Sequence, residues 1–352
     1  MNKILITGSN GFIGSHLTRE ILFKTNYEIR AMVLKGTSEE SIRNIIDEFE
    51  TDNPERSASK RIKIIYADLL NKKTLEAACE NIDVVVHLAG LVSEWGPKDA
   101  FFSLIVEGTQ KLLDAASDNN VKRFIYMSSL TVHDLNGHYY NDENTPRDME
   151  FFPYGVAKKK AEDLVTAWGS KGNQRDYALI RPGFIIYGPG DKNSFIRALD
   201  SMIEGQFGFI NGGKSLISFV YVENLVYGIR LLVQADSIDG PYIILDGNKT
   251  WKEFVQVWVN RVGHKMPIAN VPFIVLFPFI WILENLYKLF NVKKPPILTL
   301  YSIRIPRKHL AFTSDKIKKE LGYKPVVPFQ ETIKLTLEYL ADEYSKDIDI
   351  KI

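Results

Sequence analysis

Residues Lys3–Gly14 read KILITGSNGFIG: an apolar, β-branched run that breaks directly into glycines at positions 8, 11 and 14. The run predicts a buried strand, and the apolar pattern that follows, Phe12 to Phe23, predicts a helix. A glycine triplet between a strand and a helix has a specific physical use. Gly8 permits the tight turn out of the strand, Gly11 lets the backbone approach a pyrophosphate, and Gly14 lets the helix lie close to the sheet. The helix N-terminus then presents unpaired N–H groups and its positive dipole end to phosphate oxygens. Glycines alone mark ordinary turns; the strand–helix context is what makes them a dinucleotide loop. Gly8, Asn10, Gly11, Phe12, Ile13 and Gly14 are the candidate cofactor cradle.

Outward from this loop, strand-like runs alternate with helical patterns. Strands are predicted at Lys3 to Thr7, Glu28 to Leu34, Ile62 to Ala67, Val84 to Leu88, Arg123 to Ser128 and Tyr177 to Arg181. Several are apolar throughout, as strands covered on both faces must be. Helices are predicted near Phe12 to Phe23, Lys98 to Asp118 and Pro153 to Trp168, with a helix and then a mobile loop (Asn53 to Ser59) between Lys35 and Lys60. Such alternation means an α/β fold, a Rossmann-type doubly wound parallel sheet with right-handed crossovers. Glycine and proline cluster at YGPGD (Tyr187 to Asp191) and NGGK (Asn211 to Lys214), where a less regular region begins. SFVYV (Ser218 to Val222) and YIILD (Tyr242 to Asp246) are expected to return to the first sheet. The expected division is therefore a dinucleotide-binding domain, 1–182, with a return segment at about 216–250. A smaller, mixed α/β substrate domain takes 183–215 and 251–352.

Composition narrows the function class. The chain has 352 residues, 45% hydrophobic and 25% charged, ordinary for a globular protein. Lys and Arg total 44 against 43 acids, so no basic excess exists to hold nucleic acid. The single cysteine, Cys79, cannot pair within the chain, and Asn2 leads at once into KILIT without a charged leader and apolar core. Both point to the cytoplasm. Of the six histidines, none forms a metal-ligand pair on a helix; His133 and His138 fall in a loop-like stretch, and no metal is expected.

Tyr154 and Lys158 stand at i and i+4 in YGVAKKKAE, one turn apart on one helix face. A phenol titrates near pH 10. A nearby ammonium favours the phenolate and suits the tyrosine to proton exchange with an alcohol or carbonyl oxygen. MSSLTVH supplies Ser128 and Ser129 at a strand end, either able to hydrogen-bond that same oxygen. After the second strand the chain reads RAMVLKG, with no acid before Glu39 and with Lys35 at the turn. An acid there would accept from a ribose 2′-hydroxyl, whereas a cation pairs a 2′-phosphate, which favours NADP(H) slightly over NAD(H).

With these motifs in one chain order, the sequence resembles the extended short-chain dehydrogenase/reductases, the NAD-dependent epimerase/dehydratase superfamily. TGSNGFIG, ADL (Ala67 to Leu69), HLAG (His87 to Gly90), MSSLTV, YGVAK, RPGFIIYGPGD and TSDKIKKELGYKP carry the resemblance across nearly the whole chain. It implies that Asp68 and Leu69 flank the adenine and that Leu88, Ala89 and Gly90 line the cofactor. It also sets Pro182 and Gly183 beside the nicotinamide, and makes Ser129, rather than Ser128, the active-site hydroxyl. One departure stands out: Ile105 occupies the position where the family commonly carries asparagine. The apolar stripe of that helix is expected to be core or a dimer-forming face, and a homodimer is expected.

Two branches of the family compete for the chain. Nucleotide-sugar enzymes usually place an arginine near the return strand, where this chain has Leu216, Ile217 and Ser218. SFVYVENLV resembles instead the 3-beta-hydroxysteroid dehydrogenase and dihydroflavonol reductase-like branch. VPFIVLFPFIWIL, thirteen apolar residues from Val271 to Leu283, is too short for a bilayer span of about 20 residues and holds Pro272 and Pro278. Core or an apolar substrate wall is preferred for it; membrane contact through 271–290 is expected at most as a peripheral interaction. Arg304 and Arg307 read as surface residues.

The expected function is NAD(P)-dependent interconversion of a secondary alcohol and ketone on a small, largely apolar substrate, sterol-like or a long-chain β-hydroxy/β-keto compound. Tyr154, Lys158 and Ser129 supply the acid–base chemistry, with Tyr154 and Lys158 also contacting the cofactor. The alternatives are a nucleotide-sugar epimerase or dehydratase with tightly held NAD, and a non-catalytic dinucleotide sensor.

Overall fold

The computed structural model describes residues 2–171, 175–191, 208–261, 269–290 and 292–344, with Phe195 and Leu199. The remaining parts of the expected substrate segments, within 192–207 and 262–268 and beyond 344, lie outside the described residues. Among the described residues there are fourteen strands, numbered in chain order. The first five are β1 (Lys3–Thr7), β2 (Glu28–Val33), β3 (Ile62–Tyr66), β4 (Val84–His87) and β5 (Arg123–Met127). Then come β6 (His138–Asn141), β7 (Asp176–Pro182), β8 (Ile185–Tyr187), β9 (Phe209–Ile210) and β10 (Leu216–Tyr221). The last four are β11 (Asp239–Ile244), β12 (Gly247–Thr250), β13 (Asn270–Val271) and β14 (Leu310–Phe312).

Seven of these strands form one parallel sheet in the order β11-β7-β5-β4-β1-β2-β3. Alternate residues of each strand serve opposite faces. Ile4, Ile6, Val84 and Val86 pack with Leu17, Ile21 and Ile229 on one side. Leu5, Val85, Phe124 and Tyr126 pack with Leu112, Leu113 and Ala161 on the other. Both faces are covered by helices, which is why the strands read as unbroken apolar runs. Each aliphatic side chain buried this way contributes about 1.5–3 kcal/mol. The order reverses at β1, between β4 and β2, and the crevice at the carboxyl ends of β1 and β4 is where such a sheet binds ligand.

A second sheet has the order β12-β10-β14-β6, with β8 also pairing β10. This corrects the expected return of SFVYV to the first sheet: β10 belongs to the second, while YIILD does join the first as its edge strand β11, beside β7. The reason lies at Gly183, where a Cβ would come within 2.8 Å of the Phe219 backbone. The chain leaving β7 therefore lies hard against β10, and β8 pairs with it. Helix Trp251–Arg261, not anticipated from the pattern, supplies Phe254 and Trp258 to an aromatic core with Tyr187, Phe195 and Tyr221.

The C-terminal segment is held by polar contacts. Asn224 Oδ1 accepts from the Val326 and Val327 amides at 2.9 and 2.8 Å. Asp246 accepts from the Tyr221 amide and from Asn224 Nδ2, both at 2.9 Å. Burial pushes the Asp246 carboxyl up to about 6. The 53–59 connection, expected as a mobile loop, is tied down: buried Ala58 donates its amide to Glu50 at 2.9 Å.

Two helices depart from simple expectation. The predicted helix Lys98 to Asp118 is present, but its middle, Phe102–Glu107, winds as a wider turn of the π type. Helix Phe273–Leu289 carries an inward stripe in which Phe273, Phe277 and Ile280 pack with Ile210, Leu300 and Ile303. Its outward half, Trp281 included, faces solvent, against the expectation of core or substrate wall. Among the described residues, no helix is long and apolar enough to cross a membrane.

Candidate active site

The glycine loop is shaped by contacts that exclude side chains. Gly8 has φ +67°, and a Cβ there would sit 3.1 Å from the Ala89 Cα. At Gly14 a Cβ would lie 2.0 Å from the Gly8 carbonyl oxygen, so the helix can start only where that residue lacks one. The Gly11 amide donates back to that oxygen at 3.0 Å. This cradle fits a pyrophosphate at the N-terminus of helix Phe12–Lys24. Asn10 is a brace for the loop: its Nδ2 donates to Thr37 Oγ1 at 2.9 Å and to the Ser38 carbonyl at 2.8 Å. Phe12 and Ile13 begin the helix, half-buried against the two core clusters.

The loop after β4 is fixed from β1. Thr7 Oγ1 accepts from the Leu88 and Ala89 amides at 3.1 and 3.0 Å. Its own hydrogen is then left for His87 Nδ1, 2.8 Å away. His87 Nε2 donates in turn to Thr109 Oγ1 at 3.1 Å, which donates to the Ile105 carbonyl at 2.5 Å. This order of donors requires a neutral His87. Burial, with the Lys158 charge adding to it, holds the His87 pKa down at about 3. Sequence reading missed this relay; HLAG gave no sign of what its histidine touches. Ile105 is a buried core residue whose carbonyl ends the relay, and its Cγ1 comes 4.0 Å from where a Gly90 Cβ would be.

Asp68 receives the Leu70 amide at 2.9 Å, and Leu69 is buried against Gly108, where a Cβ would meet the Leu69 Cβ at 3.1 Å. Pro182 ends β7 and Gly183 follows it, its amide donating to the Ile244 carbonyl at 3.0 Å. Lys35 is exposed, two residues beyond β2.

Tyr154 and Lys158 share the inner face of helix Pro153–Ser170, which starts with proline at its first position. Both are buried, and Lys158 Nζ lies 5.7 Å from the centre of the Tyr154 ring and 4.8 Å from that of Tyr126. Nζ donates to the Met127 carbonyl at 2.6 Å, which pins it beside the end of β5. Ser129 follows two residues on. Burial raises the phenol pKa above its ordinary value, and the nearby Ser129 hydroxyl opposes that rise. Burial lowers the Lys158 ammonium to about 7 despite the charge of Glu162. Ser128 is engaged elsewhere: its hydroxyl donates to Glu162, which also receives Arg181 at 2.9 and 2.8 Å and Arg147 at 3.2 Å. The structure thus brings Ser129, Tyr154 and Lys158 together and leaves Ser128 to a buried ion pair.

Aromatic rings surround the hydroxyl pair. Phe101 meets Tyr154 edge-on at 6.3 Å, Phe152 lies at 5.7 Å, and Tyr301 stacks on Phe152 at 4.0 Å. His138, expected in a loop, sits in β6, and its ring packs with those of His133 and Phe312. Arg304 and Arg307 cover Phe151 and Phe273 respectively.

Comparison with known proteins agrees with this geometry. The family model described as NAD dependent epimerase/dehydratase family matches residues 4–244. A 3beta-hydroxysteroid-dehydrogenase/decarboxylase, isoform 1, of Arabidopsis thaliana is 30% identical over 95% of this chain and 78% of its own length. A 3-beta-hydroxysteroid dehydrogenase of Mycolicibacterium neoaurum is 26% identical over 97% of this chain and 92% of its own. Among solved structures, a dTDP-glucose 4,6-dehydratase double mutant from Streptomyces venezuelae with NAD bound superposes with a TM-score of 0.73. It is 20% identical and covers 97% of each chain, a likeness of fold. A glycine cradle at the sheet's switch point, a Ser–Tyr–Lys cluster beside it and these matches lead to one conclusion: the chain belongs to the NAD-dependent epimerase/dehydratase family and is an enzyme of the extended short-chain dehydrogenase/reductase type.

Proposed function

We propose that the enzyme interconverts a secondary alcohol and a ketone on a small, largely apolar substrate, sterol-like or a long-chain β-hydroxy/β-keto compound. The observation that carries the reading is the pair Tyr154 and Lys158 buried on one helix face, with Lys158 Nζ held on the Met127 carbonyl two residues before Ser129. When bound, the nicotinamide cofactor supplies or accepts the hydride. Ser129 orients the reacting oxygen, Tyr154 exchanges a proton with it, and the Lys158 ammonium favours the phenolate while reaching the cofactor ribose. The ring of Phe101, Phe152 and Tyr301 excludes water from that proton path and offers apolar surface to the substrate.

The position where a nucleotide-sugar enzyme would place an arginine supports the same class. Ile217 is fully buried there, and the Ser218 hydroxyl is bonded to Asn248 at 2.6 Å. No charge faces a diphosphate from these residues. Cofactor preference is proposed for NADP(H). Glu39, the first acid after β2, already accepts from Arg43 at 2.6 Å and from the Tyr66 hydroxyl, whereas Lys35 is exposed at the turn.

The test is NADPH and NADH oxidation against steroid ketones, β-keto acids, flavonols and nucleotide sugars. Turnover of the apolar ketones, faster with NADPH, is expected. Tyr154→Phe should lower kcat by about 10²–10⁴-fold with cofactor binding intact. Near-native turnover in that variant overturns the catalytic reading, and turnover confined to nucleotide sugars overturns the substrate class.

A further inference from the structure

We propose that the outward face of helix Phe273–Leu289, with the turn that follows it, is a docking surface for an anionic lipid bilayer. Apolar residues fall on this face at three- and four-residue spacing: Val275, Phe279, Ile282, Leu286 and Leu289. They are open to solvent, Phe279 at 67% and Leu289 at 76%, and Ile297 in the following turn is 98% exposed. Single exposed apolar residues are ordinary, but a contiguous apolar face marks an interaction surface.

The charges around it select the occupant. From residue 269 to 298 the sequence holds one acid, Glu284, against Lys288, Lys293 and Lys294. Glu284 is buried under the helix, where it accepts from the Leu300 amide and from Lys288 at 3.0 Å. The cations therefore gather at the C-terminal end of the apolar face and in the turn after it. A second copy of this chain laid symmetrically on the face would bring no exposed acid from that face to pair them. An anionic headgroup layer pairs them, and the Trp281 indole suits the boundary of such a layer. Seventeen residues, about 26 Å of helix interrupted by Pro278, lie along a bilayer rather than across it.

The surface is continuous with the candidate site. Tyr287 meets Trp95 edge-on at 6.2 Å, and Trp95 Nε1 donates to the Val292 carbonyl at 3.1 Å. Tyr301, past the same turn, stacks on Phe152 beside Tyr154. Docking would bring the aromatic mouth to the lipid, from which an apolar ketone can enter without crossing water. Only this last consequence rests on the proposed catalytic reading; the binding itself does not.

The experiment is co-sedimentation of the full chain with phosphatidylcholine vesicles, with and without phosphatidylserine, at low and high salt. Binding is expected with phosphatidylserine and should fall with salt. Phe279→Asp with Ile282→Asp should abolish it, and Lys293→Glu with Lys294→Glu should weaken it by roughly tenfold or more. Both variants should keep native circular dichroism and native turnover of a water-soluble ketone. Failure of the native chain to bind phosphatidylserine vesicles overturns the proposal. So does a native dimer that Phe279→Asp with Ile282→Asp dissociates while vesicles remain unbound. If the first variant does not fold, unchanged binding by the lysine variant overturns it equally. Vesicle binding alongside an active Tyr154→Phe variant would sink the catalytic reading alone.

Discussion

The Ser128 hydroxyl donates to Glu162 Oε1 at 2.6 Å, and Glu162 has no exposure to water at all. Under the proposed catalytic reading that bond separates the two adjacent serines, because a hydroxyl committed to a buried carboxylate is not free to orient a substrate. Ser129→Ala should lower kcat by about 10²-fold with stability nearly unchanged. Ser128→Ala should keep kcat but cost about 1–3 kcal/mol by leaving Glu162 short of a donor. Steady-state kinetics paired with urea unfolding checks both; reversed phenotypes would refute the division.

Lys158 should leave a signature in the pH dependence of folding. Its pKa falls from 10.5 in the open chain to about 7 in the fold, through burial. Between those values the unfolded chain holds a proton that the folded chain has released. Stability contributed at this position therefore rises with pH from about 7 toward 10.5. Measured by urea unfolding, the native chain should gain on Lys158→Met across that window. Parallel curves would show that Lys158 stays charged when buried.

Gly14→Ala asks for a methyl group where the Gly8 carbonyl already lies. The helix start and the loop must separate, at a cost of more than about 3 kcal/mol. Loss of the thermal shift that NADPH gives the native protein is expected as well, read by differential scanning fluorimetry.

Thr7→Val keeps the shape of β1 but removes the oxygen that receives the Leu88 and Ala89 amides. Each orphaned amide costs about 1–3 kcal/mol unless water reaches it. Cofactor KM should rise more than kcat falls, and Thr7→Ser should restore both. A change in kcat alone would place the relay in proton transfer instead.

Legibility from sequence followed locality. All six predicted strands match within one residue at each end because their whole signal, an unbroken apolar run, is carried by consecutive residues. The glycine loop and the Tyr154–Lys158 pair were legible for the same reason. What escaped is set by partners far apart in the chain. Thr7 reaches His87 across 80 positions, and no periodicity records that. β10 reads as an ordinary buried strand, and only the approach of Gly183 to Phe219 decides which sheet receives it. The Val271 run showed its hydrophobicity plainly but not its sidedness, since the run is apolar at every position.

The wide turn at Phe102–Glu107 acts as a phase adaptor within one continuous helix. Before it, Phe101 is aimed at Tyr154; after it, Gly108 is aimed at Leu69, where an added Cβ would meet the Leu69 Cβ at 3.1 Å. Each residue of an α-helix turns the following face by about 100°. Deleting one residue from the turn would therefore leave both halves helical yet swing the Leu69 contact out of alignment with the Tyr154 contact. One helix thus keeps these two contacts in register, and its irregular middle sets the angle between them.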